Sequence, residues 1–384
     1  MRALDAVRLA LVRQQYTPFG GAERFVDRAL GALRSRAIDV TIIARRWSGQ
    51  AGSRLLRCDP AYLGRTWRDA GFARCVQRVI AEDRFDLVQS HERVPGCHVY
   101  RAGDGVHATW LELRDRQRGR LARLGTGLSP WHRYTLAAEA AVFRHRNLKA
   151  VICNSRMVRD DIARRFAVPA EKLTVIYNGV DLDYFQPGLR TRHRATVRGE
   201  LGIGDEVPVI LFVGSGFERK GMPTLLQALA RMRRRDARLL VIGHDSKTNV
   251  MTALAGRLGL GQRARFLGPR EDLRPWLGAA DLFCLPTLYD PMPNAIVEAL
   301  ACGLPVVTST TCGGAELITP GKNGSVCAAT DADALAEHLD ALIGQPRPDP
   351  AVVRASVEHL GLDNMAQHLS ALYDRLLDLA APPG

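Results

Sequence analysis

Short apolar, β-branched runs alternate with stretches of helical period along most of this chain, and the scheme occurs twice. In the first half, Val7–Val12, Val40–Ala44, Leu87–Ser90 and Ala150–Cys153 read as strands. Helices are expected over Glu23–Ser35, Trp67–Glu82, Tyr134–Arg144 and Met157–Phe166. In the second half the strands are Val209–Val213, Arg238–Ile242, Arg265–Leu267, Leu282–Leu285 and Val306–Thr308. Helices there cover Met222–Arg233, Val250–Leu258, Leu273–Ala279, Ala295–Ala301 and Asp333–Ile343. Strands alternating with helices imply parallel sheets covered on both faces, with ligands bound at the carboxyl ends of the strands.

A chain of 384 residues exceeds one ordinary hydrophobic core, so two domains are expected. The turn-rich segment Tyr177–Pro187, with its Asn-Gly pair, and the basic stretch after it mark the junction. The boundaries read as 1–178 for the first domain, 179–200 for a linker, 201–360 for the second domain and 361–384 for a last amphipathic helix.

Apolar content of 46% with 24% charged residues is that of a globular protein. No apolar run is long enough to span a membrane. Asp5, Arg8 and Arg13 break the N-terminal apolar run, which does not resemble a signal peptide, so a cytoplasmic location is expected. The eight cysteines form no CxxC pair and no Cys/His ligand spacing, and read as reduced, mostly buried thiols. The net charge of +13 calls for an acidic partner or an anionic surface, or is a solubility feature. Its basic clusters, Arg114–Arg123, Arg190–Arg198 and Arg231–Arg238, contain few aromatic residues and no nucleic-acid motif. That argues against nucleic acid and leaves anionic lipid headgroups or a phosphorylated acceptor.

Three segments carry candidate chemistry. The strand Val209–Val213 runs into Gly214-Ser-Gly-Phe-Glu-Arg-Lys-Gly221 and then a helix, where Arg219 and Lys220 supply a forked and a compact cation suited to a diphosphate. In Asp290-Pro-Met-Pro-Asn-Ala-Ile-Val-Glu298, two carboxylates lie eight positions apart. Asp290 reads as lying on the loop leaving a strand, with Pro293 near the first helical position and Glu298 in the second turn. The N–H groups at such a helix start form an anion site. Gly20 and Gly21 follow the first strand and permit close backbone approach to a ligand; Gly313 and Gly314 stand in a similar setting in the second half. His91 and His107 are weaker acid/base candidates. The Asp181/Asp183 and Asp331/Asp333 pairs have metal-like spacing, but the first belongs to the linker and the second suits a helix cap.

Taken together, the Gly-Gly loop, NGVDLDYF at the linker, GSGFERKG, and Asp290-x7-Glu298 followed by ALACGLPVV resemble the retaining glycosyltransferases of family 4. Within that family the chain most resembles the lipopolysaccharide core glucosyltransferase I group, through Phe-Gly-Gly21, Pro95-Gly-x-x-Val-Tyr-x-Ala-x-Asp104 and Gly214-Ser-x-Phe-x-Arg-Lys-Gly221. The resemblance implies the GT-B fold: two Rossmann-like doubly wound α/β domains facing a cleft, the last helix returning to the first domain. It implies that Arg219 and Lys220 hold the donor diphosphate together with the N–H groups of Asn294, Ala295 and Ile296. Glu298 would take the nucleotide ribose, and Asp290, where the family has glutamate, the donor sugar. Gly20 and Gly21 would close over the leaving group, Arg270 would lie near the base, and Asp104 would stand at the reacting carbon.

The activity implied is retaining, metal-independent transfer of a hexose, glucose from UDP-glucose, to an inner-core heptose of lipopolysaccharide. No cofactor is expected beyond the nucleotide-sugar substrate. The expected partners are the nucleotide sugar, a lipopolysaccharide or other glycolipid acceptor, and the anionic inner face of the inner membrane. Two alternatives stand beside this reading: a family 4 enzyme of capsule, exopolysaccharide or glycolipid assembly using another nucleotide sugar, and a non-catalytic nucleotide-sugar-binding scaffold.

Overall fold

The computed structural model describes residues 7–15, 38–47, 54–117 and 125–377. These divide into two compact units, one of Met1–Gly179 with Asp363–Gly384 and one of Val180–Leu362. The first holds seven strands: β1 (Val7–Val12), β2 (Ile38–Ala44), β3 (Arg54–Arg57), β4 (Leu87–Ser90), β5 (Val99–Arg101), β6 (Ala150–Cys153) and β7 (Leu173–Val175). The second holds six: β8 (Val209–Val213), β9 (Arg238–Ile242), β10 (Ala264–Gly268), β11 (Leu282–Leu285), β12 (Val306–Ser309) and β13 (Gly324–Cys327). Their orders are β3-β2-β1-β4-β5-β6-β7 and β10-β9-β8-β11-β12-β13. Every strand pair is parallel. Each sheet therefore reverses its strand order once, between β1 and β4 and between β8 and β11, and each is a doubly wound Rossmann-like sheet.

Strands such as β6, β8 and β11 form because their residues are apolar on both faces. All of β4, β6, β11 and β12 is buried, as continuous runs covered by helices on both sides require. Helix starts follow from capping: Ser129 accepts from the His132 N–H ahead of Pro130–Arg144, and Ser155 from the Val158 N–H ahead of Arg156–Phe166. The C-terminal helix Leu362–Leu376 belongs to the first unit, where the buried Tyr373 hydroxyl donates to Gln89 Oε1 at 2.7 Å. No helix among the described residues is long and apolar enough to cross a membrane.

Several elements escape the sequence pattern. The strands β3, β5, β7 and β13 are only three or four residues long. Residues 189–200, expected to lie in a linker, form most of the helix Leu189–Leu201 inside the second unit. Its buried positions are Leu189, Val197 and Arg198, so one core-facing residue is a cation and no apolar stripe marks it. In the basic stretch Arg190–Arg198, Arg198 is buried, Arg190 and Arg194 are half-buried and Arg192 is exposed. Arg190, Arg194 and Arg198 all converge on Asp281, which precedes β11. Arg198 also donates to the Ala279, Gly204 and Val207 carbonyls. The cysteines differ from expectation as well: Cys58 and Cys75 form a disulfide, while the other six are free and buried. These two lie 17 residues apart, one beyond β3 and one in the helix Gly64–Glu82, so only tertiary packing brings them together.

Candidate active site

The carboxyl ends of β8 and β11, at the reversal point of the second sheet, carry the GSGFERKG and Asp290–Glu298 segments. Gly214–Gly221 folds onto itself as it leaves β8. The N–H groups of Lys220, Gly221 and Met222 donate to the Gly216, Glu218 and Phe217 carbonyls, and that of Phe217 to Asp245. Phe217 anchors the loop by packing against Phe212 and Phe266. Arg219 and Lys220 are the two cations this loop carries.

Their position is set from β11. The Arg219 carbonyl accepts from the Leu288 N–H (2.8 Å) and the Thr287 hydroxyl (2.9 Å). Gly221 makes this junction possible. Its φ is +78°, and a Cβ there would lie 1.9 Å from the Pro286 carbonyl oxygen. Gly221→Ala is therefore expected to lose about 3 kcal/mol of stability, from left-handed strain plus overpacking. Chemical denaturation of the second unit checks this, and an unchanged midpoint would refute it.

Lys220 and Asp290 form an ion pair, with both side chains nearly buried. A Cβ at Gly214 would meet the aliphatic stem of Lys220 at 3.4 Å, so the glycine leaves that stem its room. Asp290 is fixed through its main chain: its N–H donates to Thr311 at 3.3 Å and its carbonyl accepts from Gly313 at 2.8 Å. The segment after β12 thus braces the segment after β11. Gly313–Leu317 is a 3-10 helix, and Gly314 allows its close approach, since a Cβ there would meet the Ile296 side chain at 2.9 Å.

Asn294–Ala301 is a helix whose N-cap is Pro293, one position earlier than expected from sequence. Glu298 lies in its second turn and is 4% exposed. The N–H of Ile296, expected to meet phosphate, donates instead to the Pro293 carbonyl at 3.1 Å, closing a tight first turn. The remaining first-turn positions are Asn294 and Ala295. Arg270 follows β10, the edge strand, with its guanidinium 5.3 Å from the Trp276 ring.

In the first unit the carboxyl ends of β1, β4 and β5 bring together Gln14, Glu92 and Asp104. Gly20 and Gly21 lie outside the described residues. Asp104 is exposed on the turn between β5 and the helix His107–Gln117. Glu92, which the sequence reading passed over, accepts from the Gln14 N–H at 3.1 Å and faces Arg13 at 3.6 Å. Burial raises its carboxyl above the usual range against the pull of Arg13, and the Asp104 charge adds to the rise. Its place directly after β4, at the reversal point, is the signal that marks it. A cavity of about 60 Å³ here is lined in part by Gln14, Asp69, Glu92, Arg93 and Trp131.

The histidines are built into the frame. Burial, then Arg93, His132 and Arg114, push His107 down to about 3, so its ring is neutral at physiological pH. It stands 3.0 Å from His132, while the buried Glu139 accepts from the His107 N–H and pairs with Arg93. Burial, with Arg101 and Arg13 beside it, likewise holds His91 neutral. Both aspartate pairs serve local turns: Asp181 accepts from the Asp183 and Tyr184 N–H groups, and Asp331 caps Ala332–Gly344 through the Ala334 N–H.

Two doubly wound units, with a cation–carboxylate pair at the second sheet's reversal point, define a GT-B glycosyltransferase. The chain belongs to family 4 of these enzymes: the Glycosyltransferase Family 4 model matches residues 19–184 and the Glycosyl transferases group 1 model residues 207–345. It is 28% identical over 326 residues to the lipopolysaccharide glucosyltransferase WaaG of Escherichia coli (strain K12), covering 83% of this chain and 85% of that protein. It is also 28% identical over 334 residues to the lipopolysaccharide core biosynthesis glycosyltransferase LpsE of Rhizobium meliloti (strain 1021), covering 84% and 86%. The crystal structure of WaaG superposes with a TM-score of 0.76 at 25% identity, covering 98% of this chain and 100% of that one.

Proposed function

We propose that this glycosyltransferase moves glucose from UDP-glucose, with retention of configuration, to a heptose of the lipopolysaccharide inner core. The observation that carries the donor side of this reading is the nearly buried Lys220–Asp290 pair beside Arg219. In this reading Lys220 and Arg219, together with the helix start at Asn294 and Ala295, offer positive charge to a departing diphosphate. Lys220 has three donors, so one directed at Asp290 leaves others for phosphate oxygens. In this reading these groups stand in for a metal ion, Glu298 holds the ribose, Asp290 meets the sugar hydroxyls, and Arg270 lies toward the base.

The bond between the anomeric carbon and the diphosphate oxygen breaks as the acceptor oxygen bonds to the same face. The acceptor's proton passes to the departing phosphate oxygen. Asp104 steadies the positive charge that develops at the anomeric carbon. The names of WaaG and LpsE support the acceptor assignment. The net charge of +13 suits a phosphorylated acceptor at the anionic cytoplasmic face of the inner membrane.

Incubation with UDP-glucose and heptose-terminated core oligosaccharide should release UDP and extend the acceptor by one hexose. Turnover with a different nucleotide sugar, and none with UDP-glucose, would sink the donor assignment. UDP binding without turnover on any donor would favour a scaffold. Asp104→Ala is expected to slow transfer about a hundredfold with UDP affinity little changed. Wild-type turnover in that variant would remove Asp104 from the chemistry.

A further inference from the structure

The second unit has a larger pocket, of about 310 Å³, at the end of its sheet opposite the candidate active site. Its lining includes the residues just before three strands: Pro208 before β8, Asp281 before β11 and Pro305 before β12. Leu342, near the end of the helix Ala332–Gly344, and Arg347 also line it. Ligands of the sheet's reversal point meet the opposite, carboxyl ends.

The pocket is rich in guanidinium groups. Arg190, Arg194, Arg234 and Arg347 line it; Arg190 and Arg194 pair with Asp281, whose charge also acts on Arg347, and Arg234 pairs with Asp236. Asp281 already accepts from Arg190, Arg194, Arg198 and the Val209 N–H. The other acids of the lining, Asp205 and Glu206, are exposed to solvent. Arg347 donates through Nη2 to the Gly303 carbonyl at 3.1 Å, while its buried Nε and Nη1 have no protein acceptor. Burial, and then repulsion from Arg190, lower its pKa to about 10. A guanidinium edge matches the oxygens of a phosphate.

We propose that this pocket is a second ligand site, which binds a small phosphorylated metabolite with its phosphate held by Arg347, Arg190 and Arg194. The volume exceeds what bare phosphate needs and lies at the lower end of the range for small-molecule sites, which suits a sugar phosphate. The excess of guanidinium over inner carboxylate favours an anion of more than one charge.

Titration calorimetry on the full chain tests this, with inorganic phosphate and glucose 6-phosphate as probes. The wild type and Lys220→Ala should bind glucose 6-phosphate alike, since Lys220 lies at the other end of the sheet. Arg347→Gln should weaken binding about tenfold or more, the loss expected for a charge-assisted pair. Leu342→Trp, which fills the pocket without removing a charge, should weaken it as well and decides the matter if Arg347→Gln does not fold. The proposal is overturned if neither probe binds the wild type at millimolar concentration. It is equally overturned if binding survives both pocket substitutions, or is lost in Lys220→Ala.

Discussion

Replacing Lys220 with alanine is expected to lower the rate of sugar transfer by at least about a hundredfold, the effect typical of removing one preset charge stabiliser. The argument rests on where the ammonium is held. Its loop is tied to the segment after β11 through the Arg219 carbonyl, and its charge is nearly buried against Asp290. An ammonium fixed in advance does not have to reorganise as negative charge builds on the leaving diphosphate. The substitution also leaves Asp290 as a buried carboxylate without its cation, which destabilises the fold. The two effects separate in the double variant Lys220→Ala/Asp290→Asn. That protein should recover much of the lost stability, read from its denaturation midpoint, and none of the lost rate. Near-wild-type transfer by Lys220→Ala would exclude the role; recovery of rate in the double variant would show that the first loss came from misfolding.

A stability effect as large as that of Gly221→Ala is expected at Asp281. Burial opposes ionisation of its carboxyl, but Arg198, the Val209 N–H, Arg194 and Arg190 outweigh it and hold the carboxyl below its usual range. Burial, against the pull of Asp281, lowers Arg198 and Arg190 as well, and repulsion among the three cations that share this anion adds to the fall. Asp281→Ala leaves those arginines together without their carboxylate and is expected to cost about 3 kcal/mol, the low end for breaking a buried pair. Denaturation of the second unit should show this at neutral pH. A depressed carboxyl pKa contributes stability above the usual carboxylate range and loses it as the pH falls through the folded value. The gap between wild type and variant should therefore narrow below about pH 4. A gap that stayed constant down to pH 2 would place the effect in packing and not in charge.

The parts of the fold legible in the sequence are those where burial on both faces leaves an unbroken apolar run. The expected spans of β6, β8 and β11 coincide with the observed strands for this reason; those of β1, β4 and β9 also coincide, although each carries polar residues. Legibility fails where a core-facing position is filled by a charge, as Arg198 does in Leu189–Leu201, or where a strand is only three residues long, as β5 is. At the candidate site, Arg219, Lys220 and Asp290 announce themselves by residue type and setting, and the structure brings all three to one sheet's reversal point. What the sequence does not carry is hydrogen bonding: that Ile296 closes its own first turn, that Gly313 braces Asp290, or that Glu92 turns toward Gln14. The last two depend on contacts between segments distant in sequence, for which no local pattern exists.

The C-terminal helix has a consequence for synthesis. Residues Val180–Leu362 form one unit from a single continuous segment, whereas the first unit is completed by residues that follow that segment. Until Met365, Leu369 and Tyr373 leave the ribosome, the apolar surface they cover stands open and Gln89 has no hydroxyl to accept from. The order of completion therefore inverts the order of translation: the half that begins the chain is the half that finishes folding second.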